Sequence, residues 1–276
     1  MKRNPTRLPA NVALLLIAAG SCIAPAAAQT AAQTSASDWQ FSAIIYAYLP
    51  QLSGSTTFPT GKQVNITVDP NQLISNLNMA FMGAFEVRKG AWGGFTDLIY
   101  TNVAGSESAT RDFSIGGVAI PGNVTADLHL GVKATVWTTA GFFRALDTPD
   151  ISLDVLLGAR GLFLDQNLSW QFSGDFGPFV GAGRGGSGAS NLTDWDGIVG
   201  AKGRWSFGDR HAWFVPYYAD VGTGDSHLTW QGMLGVGYGF SWGSVIATWR
   251  YLAYQFKSND ASLNMNGPAI GVAFHW

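Results

Sequence analysis

The chain has 276 residues, 47% of them hydrophobic, 13% aromatic and only 12% charged, and it carries 35 glycines; an ordinary soluble domain has about 25% charged residues and about 7% glycine. The apolar and aromatic content excludes a disordered chain, and 16 Lys and Arg against 18 Asp and Glu, with no basic run, argue against a nucleic-acid binder. Beyond residue 28 no stretch of about 18 apolar residues exists to form a membrane helix, so the composition points to an exported, glycine- and aromatic-rich β protein.

The first element is an export segment. Lys2, Arg3 and Arg7 form a basic start, residues 12–20 an apolar core, and Ala26-Ala27-Ala28 a small-residue cleavage site. The predicted division is a cleaved signal peptide over 1–28 and a single barrel domain over 29–276, beginning at Gln29. The only cysteine, Cys22, leaves with the signal. The mature chain then has no disulfide, thiolate metal site or cysteine nucleophile.

From Trp39 onward the hydrophobic pattern has period two, the signature of strands. Residues 41–49 and 79–87 fit it loosely, and 92–103 is mixed, with Phe95 and Ile99 on the face of Asp97. Residues 126–142 set Leu128, Leu130, Val132, Ala134 and Val136 against Asp127, His129 and Lys133. Residues 151–163 set Ile151, Leu153, Val155, Leu157 and Ala159 against Asp154 and Arg160. Residues 194–207 set Trp195, Val199, Ala201, Trp205 and Phe207 against Asp194, Asp196, Lys202 and Arg204. Residues 213–221 set Trp213, Val215, Tyr217 and Ala219 against Asp220, with Pro216 marking a bulge or unpaired position. The clearest row is Trp230, Gly232, Leu234, Val236, Tyr238, Phe240, Trp242, closed by aromatics at both ends as in a strand crossing a bilayer. The predicted interface aromatics are Trp195, Trp205, Trp213, Trp230, Tyr238, Phe240, Trp242, Trp249, Phe274 and Trp276.

Tight turns are predicted at Lys89-Gly90, at 147–150, at Gly208-Asp209 and at Trp242-Gly243. Longer connections are predicted at 50–77, 104–122, 171–192, 222–227 and 257–264. Short and long alternate, as in bacterial barrels with short turns at one end and long loops at the other. The layout gives an all-β, transmembrane, antiparallel up-and-down β-barrel of ten strands, with twelve or eight as alternatives. Twelve would require 62–68 and the short helix predicted at 70–77 to belong to crossing segments.

The charges support the barrel. Glu86, Arg88, Asp97, Asp127, His129, Lys133, Asp154, Arg160, Asp194, Asp196, Lys202, Arg204, Asp220 and Arg250 fall on rows expected to face inward, and only Arg144 and Asp165 on outward rows. A lipid-facing Arg or Lys near mid-bilayer costs about 2–4 kcal/mol, whereas a soluble sandwich would turn its charged rows to water. These inward charges are predicted to line the lumen. The bulky inward candidates Tyr46, Tyr48, Trp137, Tyr218 and Tyr254 make a closed lumen cross-linked by ion pairs the favoured expectation, since ten strands enclose little more than the nearly filled eight-strand barrel. A passage for ions or small solutes is the alternative.

The chain ends Gly271-Val272-Ala273-Phe274-His275-Trp276, which looks like the carboxy-terminal assembly signal of outer-membrane barrels. With Phe81-Met82-Gly83-Ala84-Phe85-Glu86, Gly94-Phe95-Thr96-Asp97-Leu98-Ile99-Tyr100 and Trp249-Arg250-Tyr251-Leu252, the mature chain resembles small, largely uncharacterised proteobacterial outer-membrane β-barrel (porin-like) proteins. The resemblance implies the barrel fold and the cell outer membrane, and no established activity. The predicted partners are outer-membrane lipid and lipopolysaccharide, and the barrel-assembly machinery through the C-terminal strand. No nucleic acid is expected, and the oligomeric state is left open.

The expected function is a structural protein of the Gram-negative envelope or a narrow porin-like channel, and not an enzyme. An alternative is an outer-membrane rim hydrolase. Asp194-Trp195-Asp196 and Asp225-Ser226-His227 place a carboxylate pair and an Asp–His pair at the predicted outer rim, a combination that activates water in ten-stranded outer-membrane aspartyl proteases. Asp127-Leu128-His129 repeats the second spacing and shows how readily it arises. Residues 181–188 lack the lysine and context of a phosphate loop and are expected to form a flexible outer loop. Four scattered histidines offer no metal spacing, so no metal or cofactor is expected.

Overall fold

The computed structural model describes residues 39–57, 63–110, 113–115, 118–120, 125–173, 185–257 and 261–276. The predicted export segment and the start at Gln29 lie outside the described residues. In chain order the strands are β1 (Trp39–Tyr48), β2 (Gln51–Thr57), β3 (Gln63–Val68), β4 (Leu77–Lys89), β5 (Trp92–Thr110), β6 (Phe113–Ile115), β7 (Val118–Ile120), β8 (Thr125–Asp147), β9 (Ile151–Ser173), β10 (Gly185–Phe207), β11 (Trp213–Gly224), β12 (Ser226–Gly239), β13 (Gly243–Phe256) and β14 (Ser262–His275). A short helix, α1 (Pro70–Ser75), and a single 3-10 turn at Asp209–His211 are the described helical pieces.

Among the described residues, ten strands form the barrel, all antiparallel, in the order β1-β4-β5-β8-β9-β10-β11-β12-β13-β14. Pairing of β14 with β1 closes it, from Ser42 opposite His275 to Tyr48 opposite Ala269. Closure leaves no barrel edge within the wall, which is what a sheet in lipid requires, because no water is present to satisfy an open row of backbone groups. The first connection resolves the strand count. β2 pairs with β3 and with the far end of β14, and α1 follows, so these residues stay at the loop end and do not cross. The Asp69 amide donates to Gln72 Oε1 at 3.2 Å, starting the helix, and Leu73 is its buried residue.

The four predicted tight turns all lie at the end that holds both strand termini of the closing pair, with Gly90 and Gly208 at positive φ. At the opposite end the expected strict alternation of short and long fails. β11 and β12 are separated by Asp225 alone, so 222–227 is a tight turn. Much of 104–122 and 171–192 is strand: β5, β8, β9 and β10 run 19, 23, 23 and 23 residues and stand above the rest of the rim as a wall. Residues 185–188, expected to be loop, pair with β9 from Gln171 to Leu168, while 181–184 lie outside the described residues.

The outward rows are apolar and exposed, as at Leu157 (72% exposed) and Ile45 (63%). Among the described residues no charged side chain sits on these rows between two aromatic belts. Near the terminal end, Trp39, Phe41, Phe85 and Trp276 group with centroids 6.0–6.4 Å apart, and Trp213, Tyr238, Phe240, Trp242 and Phe274 continue the belt with Trp205 on β10. Toward the loop end, Trp137, Trp195 and Phe163 meet edge-on, and Trp230 stacks on Tyr251 at 4.6 Å. From Trp195 to Trp205 a strand tilted by about 40° rises about 25 Å, the height of a bilayer's apolar band. Trp249 also faces outward but lies between the belts, opposite Leu234, with its indole N–H donated to Asn266 Oδ1 at 2.7 Å.

Pro216 accounts for a gap in the wall. β11 pairs with β12 at Phe214 and again from Tyr217, but Val215 and Pro216 pair only with β10. Nearby, the Phe214 ring packs on Gly237, where a Cβ would lie 2.2 Å from it and the ring would have to move. An arginine on the outward row tests the row assignment. Leu157→Arg is expected to lower the unfolding free energy by about 2–4 kcal/mol in phospholipid vesicles, read by denaturant titration of tryptophan emission. No change would place Leu157 away from lipid.

Candidate functional site

The strand pleat sends every second side chain into the lumen, so the site is built by alternate positions of ten strands. Near the terminal end, Lys202 on β10 reaches Glu86 Oε2 at 2.5 Å and Asp154 Oδ2 at 3.4 Å, with its ammonium 4.2 Å from the Phe142 ring centroid. Arg144 on β8 forks onto Asp154, through Nε to one oxygen and Nη2 to the other at 3.2 Å, and contacts Asp147 at 3.3 Å. Arg88 contacts Asp147 at 3.4 Å and also bonds the Gln40 side chain. Arg204 packs over Phe214 and, among the described residues, has no carboxylate partner.

Deeper in the lumen, Arg250 on β13 donates to Asp97 Oδ2 at 2.7 Å, to the Tyr46 hydroxyl at 3.0 Å and to Gln231 Oε1 at 2.9 Å. Tyr46 in turn donates to Asp97. A second network centres on Arg160 of β9, which bonds Asp220, Thr138 at 3.2 Å and Thr229 at 3.3 Å, while Tyr218 donates to the same Asp220 oxygen. The Arg160 and Asp220 side chains are both 0% exposed.

Apolar side chains fill the space between these networks. Tyr48, Met82, Ile99, Val136, Leu162, Leu252, Tyr254 and Met265 form one buried cluster, and Ala140, Phe142, Leu156, Ile198 and Tyr218 a second. Tyr48 donates to the carbonyls of Met265 and Arg250 at 2.9 and 3.2 Å, fixing its ring against the neighbouring strands β14 and β13. Burial of an ion pair is tolerated here because each carboxylate and guanidinium has further hydrogen-bond partners in place of water.

The inward positions are therefore occupied by Glu86, Arg88, Asp97, Asp154, Arg160, Asp194, Asp196, Lys202, Arg204, Asp220 and Arg250. Three expected lumen residues are not there. β8 pairs with β9 in continuous register, so Asp127, His129 and Lys133 share the outward row of Trp137, and Lys133 stands exposed opposite Asp165. Above the belt the wall meets polar surroundings, and its outward row turns polar while Val132, Ala134 and Val136 face the axis. Two further assignments reverse with that register. Arg144 points inward to Asp154, and Trp137 points outward, its indole N–H donated to Thr96 Oγ1 at 2.8 Å.

At the rim the hydrolase constellation does not assemble. Asp196 accepts from the Ser226 amide at 3.0 Å and its hydroxyl at 2.6 Å, pinning the β11–β12 turn. Asp225 accepts from the Trp195 amide and donates its own amide to the Trp195 carbonyl, both at 2.9 Å. Asp225 and His227 are exposed, and among the described residues no hydrogen bond joins them. Asp194 is buried beside Asp196 with one oxygen unpartnered. Among the described residues no cluster of acids and histidines could hold a metal ion. Sequence reasoning missed Tyr46, Gln231, Thr138 and Thr229 as partners of the buried arginines. Tyr46 had been weighed for its bulk alone, and the other three sit on rows read through their charges.

No family model matches the chain, and no curated protein matches it significantly. Solved structures similar to it include the outer membrane protease OmpT from Escherichia coli, with 12% identity over 87% of this chain and 97% of that chain and a TM-score of 0.48. Others are Ail, the attachment invasion locus protein of Yersinia pestis, in complex with a heparin analogue (13% identity, 86% and 99% covered, TM-score 0.35), and the CymD monoaromatic hydrocarbon channel (8% identity, 87% and 89% covered, TM-score 0.30). At these scores the likeness carries no functional argument. The ten-stranded barrel stands on its own strand pairing.

Removing one partner of the innermost ion pair leaves a buried charge uncompensated. Arg160→Met is expected to lower unfolding free energy by about 3–5 kcal/mol, and the double variant Arg160→Met/Asp220→Asn to recover most of it, in equilibrium unfolding of the reconstituted barrel. Equal losses in the single and double variants would contradict the pairing.

Proposed function

We propose that this chain is an outer-membrane barrel of the Gram-negative envelope, exported by residues 1–28 and matured at Gln29, that works as a sealed structural element and not as an enzyme or an open porin. The observation that carries this reading is the burial of the lumen side chains. Arg160, Asp220, Arg250, Tyr48, Tyr254, Ile99, Leu162 and Leu252 are all buried there, which supports a lumen without an aqueous passage. Glu86, Asp97, Asp154 and Asp220 are paired with Lys202, Arg250, Arg144 and Arg160, which supports a lumen held shut by pairing over one held open by repulsion. The apolar band between two aromatic belts supports outer-membrane placement, with lipid and lipopolysaccharide around it, and the C-terminal strand supports delivery by the barrel-assembly machinery. The use of Asp196 and Asp225 as turn anchors supports the non-enzymatic reading.

Planar-bilayer recording of the purified, refolded protein tests it. No unitary conductance is expected at any voltage the membrane withstands, whereas discrete, reproducible steps would overturn the sealed lumen. Cleavage of a peptide that is lost in Asp196→Ala would overturn the non-enzymatic reading.

A further inference from the structure

Among the described residues, the wall at the loop end carries an unpaired sheet edge. β10 pairs with β9 along its whole length, from Gly185 opposite Gln171 to Trp205 opposite Ile151, without a bulge. On its other side it pairs with β11 only from Asp196, opposite Gly224, where β11 ends. Trp195 turns its amide and carbonyl to that side and bonds Asp225. In an antiparallel ladder alternate residues face the same neighbour. Thr193, Asn191, Ala189, Ser187 and Gly185 therefore present their backbone N–H and C=O groups to a position directly above β11 that no described strand occupies. Residues 185–191 are exposed throughout.

Natural proteins protect such edges with proline, lysine, inward-turned charges, bulges or a covering segment. Residues 185–193, Gly-Gly-Ser-Gly-Ala-Ser-Asn-Leu-Thr, contain no proline and no charge, and the ladder there is regular. The other free edge of the wall, on β5 beyond Val103, carries Glu107 in its sequence. Among the described residues nothing covers this uncharged edge, which lies outside the apolar band and is open to a further strand.

The geometry points to β10 as a docking edge for an extended segment of another polypeptide, which adds to the wall by main-chain hydrogen bonding in the position β11 vacates. The site fixes the chemistry of that segment. β10 runs from its free end toward the membrane, so an antiparallel guest runs outward with its N-terminal end at the foot of the edge. At that foot the exposed acid is Asp225, with Asp194 and Asp196 buried behind it on the lumen row, and the ammonium of Lys257 lies on the Gly224 carbonyl. The guest is therefore an uncharged extended peptide led by a basic residue. A second copy fits less well. Two barrels inserted in the same sense bring their β10 edges together parallel, the poorer ladder. This inference does not depend on whether the lumen is sealed.

The test uses the full mature barrel in nanodiscs and the fluorescein-labelled peptide Lys-Thr-Val-Thr-Ser-Val-Thr, read by anisotropy. Ala189→Pro deletes one edge N–H that the β9 ladder does not use, and Ser190→Ala serves as a control that leaves the edge backbone intact. Saturable binding is expected to wild type and Ser190→Ala, to weaken at least about tenfold in Ala189→Pro, and to vanish when alternate peptide amides are N-methylated. Circular dichroism and heat-modifiable gel migration confirm that Ala189→Pro is folded, and the N-methylated peptide probes the same contact on wild-type protein. Binding unaffected by both changes, or no saturable binding to wild type, would overturn the proposal. So would a peptide-independent dimer abolished by Ala189→Pro, which would assign the edge to a second copy.

Discussion

A polypeptide inside lipid has no water to satisfy its amides and carbonyls, so a sheet there must close on itself. In this chain the closing contact is β14 against β1, and the other features follow from it. Closure divides every strand into a row facing hydrocarbon and a row facing an enclosed axis. The first must be apolar and ringed by aromatics at the headgroup levels. The second is free to hold charge, provided each charge finds a partner.

The partners are what decide the state of the lumen. Arg250 with Asp97 and Arg160 with Asp220 are removed from water, and a buried pair of this kind is weak evidence for stability but strong evidence for a fixed arrangement, because neither member can leave without stranding the other. Tyr46, Tyr218, Gln231 and Thr229 add further hydrogen bonds, leaving one Asp220 oxygen and the Arg250 Nε without a partner among the described residues, and aromatic and methionine side chains pack beside them. A barrel of ten strands is narrow enough for this filling to reach across.

Much of this was legible in the sequence where two signals agreed. On 151–163 and 194–207 the apolar row and the opposed charges named the same face, on 229–242 the apolar row and its aromatic ends did, and the terminal-end turns were marked by glycine, aspartate and proline. Legibility failed where the surroundings change. In β8 the apolar row Val132, Ala134, Val136 looks like a lipid row, but these residues stand partly above the bilayer, where the axis side is the dry one. Trp137, one position out of that row, was the available signal, since a belt tryptophan marks the outward face. The 222–227 turn was misread as a loop because its length depends on Asp196 binding Ser226 from another strand, a contact no local composition reveals. A register shift between Ser226 and Leu228 then changes the phase of the row, so Ser226 and Thr229 both face inward.

The most direct test of this account is nitroxide accessibility along β9 of the reconstituted barrel, with single cysteines placed from 153 to 163. Labels at Leu153, Val155, Leu157 and Ala159 are expected to be relaxed by oxygen, which concentrates in lipid, and labels at Leu156 and Leu162 by neither oxygen nor a water-soluble nickel chelate. Relaxation of the Leu156 and Leu162 labels by the chelate would show a wet lumen, and relaxation of the Leu157 label by it would show that the apolar row does not face lipid; either result would contradict the account.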